Sequence, residues 1–210
     1  MLDYQFIYVV DMIIMMVNFS LKADDFYGYS KIIFGITKIL MMPILMFGLR
    51  NPKNRSGLWY FLLFSWFGDI VLLFRPIIFS VLGMGFFSTA HVFNIIRMSK
   101  YGFPTTLKSV LLSIIPLPLI LFKLVPAVLK SEPVYHSALG YLVLLMIALF
   151  FGAKGDQKGS MFSFIGYLFF VVSDCVLLYN ESQHTLTGKP NAIVLLTYAI
   201  AQYLILKSDK

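Results

Sequence analysis

The stretch SWFGDIVLLF, residues 65–74, places the carboxylate of Asp69 inside a run of aromatic and aliphatic side chains. A second stretch, SDCVLLY at residues 173–179, repeats the order, because Asp174 also precedes Val-Leu-Leu and an aromatic residue. Apolar runs of this kind are typical of membrane-spanning helices, where a charge costs about 2.5–3.5 kcal/mol to insert even on permissive scales. The two stretches therefore predict apolar helices that each carry a carboxylate at a substantial energetic cost.

The composition of the whole chain also indicates a membrane protein. Of its residues, 59% are hydrophobic and 13% are charged, whereas soluble domains average about 25% charged residues. The net charge is +7, but the basic residues stand in short gaps between apolar runs. We interpret them as the positive charge that faces the cytoplasm in membrane proteins, and we expect no binding of nucleic acid. The single cysteine, Cys175, excludes an intrachain disulfide.

Eight apolar segments approach the length that a membrane-spanning helix needs, about 20 residues and as few as 17. They lack the alternation of barrel strands. The sequence therefore predicts an all-α, polytopic bundle of about eight transmembrane helices forming one membrane domain over residues 1–210. The predicted spans are 4–21, 29–49, 58–74, 77–98, 107–125, 138–153, 160–179 and 191–207.

The spans divide into two similar halves, residues 1–105 and 106–210. The third span of each half carries the aspartate, and TAHVF (89–93) in the fourth span resembles IAQYL (200–204) in the eighth. Four spans restore the direction of the chain, so the halves are predicted to be parallel repeats. Lysine and arginine are more frequent in the loops that share a side with both termini, which predicts cytoplasmic termini.

Ionisable residues inside the predicted spans are the candidates for function, because their insertion is costly. Besides the two aspartates, they include Lys38 and His91; Asp11 fits a packing role better. Lys38 is either a counter-ion or a substrate contact. Further polar residues share helix faces with these groups, and we expect all of them to point into one bundle interior: Ser65, Asn94, Ser173, Tyr198 and Gln202.

Two buried carboxyl groups can differ in protonation, one acidic and one ionised. Such a pair is suited to acid-catalysed cleavage of an acetal-like or enol-ether bond. Motifs of serine hydrolases, zinc proteases and phosphate-binding loops do not occur in the sequence. A metal site of Asp69, Asp174 and His91 is conceivable, but we expect no metal and no cofactor. From the residues alone, a small-solute or proton-coupled transporter with carboxylates in a central cavity, or a structural hydrogen-bond network, stays open.

Five short motifs, spread over residues 37–202, carry a resemblance: TKILMMP (37–43), SWFGDIVLL (65–73), AHVF (90–93), SDCVLL (173–178) and TYAIAQ (197–202). With these motifs in this order, the chain resembles the YhhN-like membrane proteins, the lysoplasmalogenase family. The resemblance implies hydrolysis of the vinyl-ether bond of lysoplasmalogen to a fatty aldehyde and glycerophosphoethanolamine or glycerophosphocholine. It implies Asp69 and Asp174 as the catalytic centre. The implied partners are a lysophospholipid substrate and membrane lipids, in a bacterial inner membrane or an internal eukaryotic membrane.

Arg75 is the candidate for binding the lipid headgroup. It follows Asp69 by six residues, about 9 Å at 1.5 Å per helical residue. The vinyl ether of a lysolipid lies just below its headgroup, so a phosphate at Arg75 would bring the bond near the level of Asp69. An ordinary interfacial arginine is the alternative.

Overall fold

The computed structural model of the protein describes residues 4–20, 27–49, 55–74, 77–100, 107–120, 125, 134–153, 160–182 and 188–208. Within these ranges every regular element is a helix and there is no strand, which confirms the all-α class. The helices are α1 (Tyr4–Ser20), α2 (Tyr27–Phe47), α3 (Arg55–Val71), α4 (Ile77–Ser99), α5 (Leu107–Ser113), α6 (Val134–Gly152), α7 (Ser160–Ser182) and α8 (Gly188–Lys207).

The predicted fifth span, 107–125, is wrong as a single continuous helix. Helix α5 ends at Ser113, a turn follows, and one short helical turn occupies Leu117–Leu119. Pro116 explains the break, because its ring clashes with the carbonyl four residues earlier and it has no N–H to donate. Pro118 repeats the effect two residues later. The other seven segments each contain a helix whose ends differ from the prediction by a few residues.

Two helical segments, Ile78–Ser99 and Ser160–Tyr179, are long and apolar enough to cross a membrane by length and composition. Shorter apolar helices occupy Tyr4–Val17, Ile32–Phe47, Gly57–Val71, Ala138–Gly152 and Ile193–Lys207. These findings, which concern the described ranges only, fit a membrane protein.

The chain forms two compact units, Met1–Ala90 and His91–Lys210, whose boundary falls within α4. In the first unit, α1 packs on α2 and α2 packs on α3. Helices α3 and α4 meet at Gly68, where an added Cβ would lie 2.8 Å from the ring of Phe87. The missing side chain thus lets α4 approach α3 one residue before Asp69.

In the second unit, α5 packs on α6, α6 on α7, and α7 on α8. The hydroxyl of Ser173 donates a hydrogen bond of 3.0 Å to the carbonyl of Val194. Two turns earlier on α7, a Cβ added to Gly166 would lie 3.1 Å from the carbonyl oxygen of Ala201. Residue numbers therefore fall along α7 as they rise along α8, and the two helices run antiparallel in close backbone contact.

Replacing Gly166 by alanine should force α7 and α8 apart. The new methyl group would lie 2.9 Å from Cγ1 of Ile205 as well as against the Ala201 carbonyl. We expect Gly166→Ala to lower the free energy of unfolding in detergent by about 1–3 kcal/mol. Gly140→Ala on α6 is the matched control, because nothing lies within 4 Å of the added Cβ. That control should be neutral or slightly stabilising, and equal losses in both variants would contradict the close packing at Gly166.

Candidate functional site

In the first unit, Lys38 on α2 and the buried Asp69 on α3 form an ion pair. The Lys38 Nζ lies 3.6 Å from the Asp69 Oδ1, and their side chains are 12% and 2% exposed. Each charge compensates the other, which reduces the cost of keeping either group out of water. The distance therefore supports the interpretation of Lys38 as a counter-ion. A contact between Lys38 and substrate stays a prediction.

Pro43 on α2 and Trp66 on α3 give rise to a hydrogen bond between the two helices beside this ion pair. Pro43 stands inside α2 and has no N–H, so the carbonyl of Ile39 receives no helical hydrogen bond from it. The indole Nε1 of Trp66 on α3 donates to that carbonyl at 2.8 Å. Ile39 follows Lys38 directly, and Trp66 precedes Asp69 by three residues. The bond therefore fixes α2 against α3 within one turn of both charges.

Ser65 lies one turn before Asp69 on α3 and is fully buried. Its hydroxyl has no hydrogen-bond partner among the described residues. Buried polar atoms are normally partnered, so this hydroxyl is a candidate contact for a polar ligand atom. Asp11 on α1 is also buried, and its Oδ2 has no partner within the described ranges.

In the second unit, Asp174 belongs to a short hydrogen-bonded chain. The hydroxyl of Tyr141 on α6 donates to the Oδ2 of Asp174 at 2.5 Å. The same hydroxyl lies 3.4 Å from the Nε2 of His91 on α4. All three side chains are buried. The chain joins three helices of the unit at the aspartate that the sequence singled out.

Aromatic rings enclose the imidazole of His91. The edge-to-face contact with Phe170 has a centroid distance of 4.7 Å, and the rings of Tyr167 and Tyr141 lie at 5.7 and 5.8 Å. Phe170 in turn makes an edge-to-face contact with Tyr198 on α8 at 5.4 Å. Because rings surround it, the imidazole has a fixed orientation toward the Tyr141 hydroxyl.

A second polar chain continues along α4. The amide of Asn94 donates to the hydroxyl of Tyr167 at 2.6 Å, and the Nε of Arg97 donates to the Asn94 Oδ1 at 2.7 Å. Another guanidinium nitrogen donates to the Ser208 hydroxyl at 3.1 Å. Arg97 is 7% exposed, so this chain places a buried positive charge beside Asn94.

Gln202 on α8 is fully buried, and neither atom of its amide has a hydrogen-bond partner in the described part of the chain. Two donors and an acceptor are therefore left for a ligand or water. Ser173, by contrast, binds the backbone of α8 and serves helix packing.

The model of the YhhN family matches residues 33–208. The chain belongs to the YhhN family. No curated protein and no solved structure matches the chain. The match covers both aspartates and every polar contact described above between Lys38 and Ser208. Together with the apolar helices, membership in the YhhN family points to a membrane protein.

Each candidate residue that the structure describes lies in one of the two units of this YhhN protein. Lys38, Ser65 and Asp69 belong to the first, and the second contains the others: His91, Asn94, Ser173, Asp174, Tyr198 and Gln202. Arg75 lies outside the described residues. That both aspartates face one interior stays a prediction. Within the described ranges, no group of three or more His, Cys, Asp or Glu side chains could hold a metal ion.

Sequence reasoning missed Tyr141, Tyr167 and Arg97 in this YhhN protein. A signal existed for two of them. Arg97 continues the three-residue spacing of His91 and Asn94, and Tyr167 precedes Asp174 by two turns on the same helix face. Tyr141 had no such signal, because it is one of 12 tyrosines and stands on a different helix from both of its partners.

The hydrogen bond from Trp66 to the Ile39 carbonyl can be tested with a double-mutant cycle. Trp66→Phe should lower the free energy of unfolding by about 1 kcal/mol, since the Ile39 carbonyl loses its donor. In a Pro43→Ala background the loss should be less than half as large, because residue 43 then supplies the missing N–H. Thermal unfolding of the four proteins in detergent measures both losses. Equal losses in the two backgrounds would show that Trp66 acts through packing alone.

The ion pair makes a second prediction of this kind. Lys38→Met leaves the buried Asp69 carboxylate uncompensated and should destabilise the fold by about 3 kcal/mol. Adding Asp69→Asn removes that charge, so the double variant should recover most of the loss. Denaturant unfolding in micelles gives the comparison. A double variant no more stable than Lys38→Met would contradict mutual charge compensation.

Proposed function

We propose that the protein is an integral membrane hydrolase that cleaves the vinyl-ether bond of lysoplasmalogen. The substrate would be alkenyl-glycerophosphoethanolamine or alkenyl-glycerophosphocholine, and the products a fatty aldehyde and the glycerophospho headgroup. The observation that carries the proposal is that both aspartates of the repeated motif are buried, at 2% and 9% exposure, each against a polar partner from another helix. Membership in the YhhN family supports the same reaction.

We further propose that all eight segments cross the membrane, with both termini in the cytoplasm. Support comes from exposed apolar side chains on helices other than the two with the longest apolar segments, such as Phe6 on α1, Ile32 on α2 and Val143 on α6, each about 60% exposed. Large apolar surface facing outward, with carboxylates inside, suits a lipid environment. The broken fifth segment is compatible with crossing, since proline breaks are tolerated where neighbouring helices or water satisfy the backbone.

The proposed chemistry is acid-catalysed addition of water to the vinyl ether. A carboxylic acid gives its proton to the alkenyl carbon remote from the oxygen, which leaves an oxocarbenium ion. A carboxylate stabilises that cation and takes a proton from the water that adds to it. The resulting hemiacetal collapses to the aldehyde and the alcohol of the headgroup. One water is consumed, and no proton is gained or lost overall.

The different partners of the two aspartates support a division of these roles. Lys38 places a positive charge beside Asp69, which is the setting of a carboxylate, so we assign Asp69 to stabilise the cation and activate water. Asp174 accepts a hydrogen bond from the neutral phenol of Tyr141, and we propose that it is the acid.

An aldehyde-release assay tests the proposal. Purified protein in detergent should release aldehyde from lysoplasmalogen and none from the lysolipids with a saturated ether or an ester at the same position. Asp69→Asn and Asp174→Asn should each reduce kcat at least about 100-fold, the range expected for lost acid–base catalysis. Asp11→Asn is the matched control, because it makes the same change at another buried aspartate and should keep the activity.

The contrary results are distinct. Release of aldehyde that survives both substitutions would remove the aspartates from the mechanism. No release from any vinyl-ether lysolipid, combined with uptake of a small solute by proteoliposomes, would favour the transporter.

A further inference from the structure

We infer that Tyr141 is a positioning residue of the proposed active site, the middle of a donor chain that runs from His91 and ends on the Oδ2 of Asp174. The inference rests on the proposed function and deepens it. It names the groups that hold the acid and stabilise the charge that it acquires. Neither Tyr141 nor this connection was expected from the sequence.

The hydrogen-bond geometry sets the direction of the chain. A phenol has a single hydrogen, and the 2.5 Å contact assigns it to Asp174. In the inferred chain the phenol oxygen accepts at the 3.4 Å contact with His91, so we assign the hydrogen of the imidazole to Nε2. Both hydrogens then point toward the carboxyl group.

The surroundings keep this chain in place. His91 is fully buried between the rings of Phe170 and Tyr167. Tyr141 is 7% exposed, so solvent has little access to its hydroxyl. A buried donor held in one orientation needs no reorganisation when the charge on its acceptor changes.

The effect of this chain on catalysis depends on which carboxyl oxygen of Asp174 accepts the hydrogen bond from Tyr141. Oδ2 of Asp174 accepts from Tyr141, and we assign the acidic proton to Oδ1. As that proton moves to the alkenyl carbon, negative charge spreads onto Oδ2. Hydrogen bonds to a charged acceptor are stronger than those to a neutral one, and His91 polarises the phenol further. The chain therefore stabilises the transition state more than the ground state.

The test compares two buried tyrosines in the aldehyde-release assay. Tyr141→Phe removes only the hydroxyl and should lower kcat by about 10- to 100-fold, with KM within about twofold, because the chain does not bind substrate. Tyr8→Phe is the matched control, since it also removes the hydroxyl of a buried tyrosine, on α1 and outside the proposed site. It should keep kcat.

Substitutions at His91 test the chain independently of the folding of Tyr141→Phe. A glutamine amide can still donate to the phenol oxygen, whereas leucine cannot. His91→Gln should therefore keep several times more activity than His91→Leu at equal thermal stability. Combining His91→Leu with Tyr141→Phe should lower kcat no further than Tyr141→Phe alone, because the two residues act as one unit.

The outcomes separate this inference from the proposed function. Aldehyde release by the unsubstituted protein, with Tyr141→Phe or both His91 variants as active as Tyr8→Phe, overturns the donor chain and leaves the hydrolase standing. A loss confined to KM, or losses that follow thermal stability, also overturns it. No aldehyde from the unsubstituted protein overturns the hydrolase, and this inference with it.

Discussion

The cost of burying a carboxylate among apolar helices is the constraint that organises both units. Asp69 on α3 is compensated by Lys38 from α2, and Asp174 on α7 by Tyr141 from α6. Each partner comes from the preceding helix, so the helix pairs must keep a fixed register. Trp66 holds the first pair through the Ile39 carbonyl. Close backbone contact at Gly152, where an added Cβ would lie 3.3 Å from the Phe164 nitrogen, holds the second.

These polar contacts stabilise the fold by less than the burial of their charges costs. A hydrogen bond between transmembrane helices contributes about 0.6 kcal/mol on average, whereas inserting a charge costs about 2.5–3.5 kcal/mol. Leucine at either aspartate position would pack at no such cost. The burial of Asp69 and Asp174, together with a fully buried Gln202 whose amide has no partner in the described ranges, fits the proposed function better than a role in stability alone.

The sequence predicted the helices well, because long apolar runs bounded by polar gaps leave few alternatives. The prediction was wrong at the fifth segment, because that apolar run contains Pro116 and Pro118, which interrupt the helix. The candidate site could be predicted from the sequence only in part. Charged residues such as Lys38 stand out in an apolar helix, whereas Tyr141 does not, since 17% of the chain is aromatic. Which tyrosine meets an aspartate depends on helix rotation, and a pattern that is apolar on every face does not encode that.

The motif Asp-x-Val-Leu-Leu-aromatic occurs twice, yet its two copies have acquired different partners. A lysine ammonium lies beside the first aspartate, and a neutral phenol donates to the second. Two carboxyl groups in identical surroundings would compete for the same protonation state, and neither would be specialised as acid or base. The ion pair at one copy and the phenol donor at the other support the proposed division of roles. In the proposed mechanism, the difference between the partners, rather than the repetition of the motif, would distinguish the acid from the base.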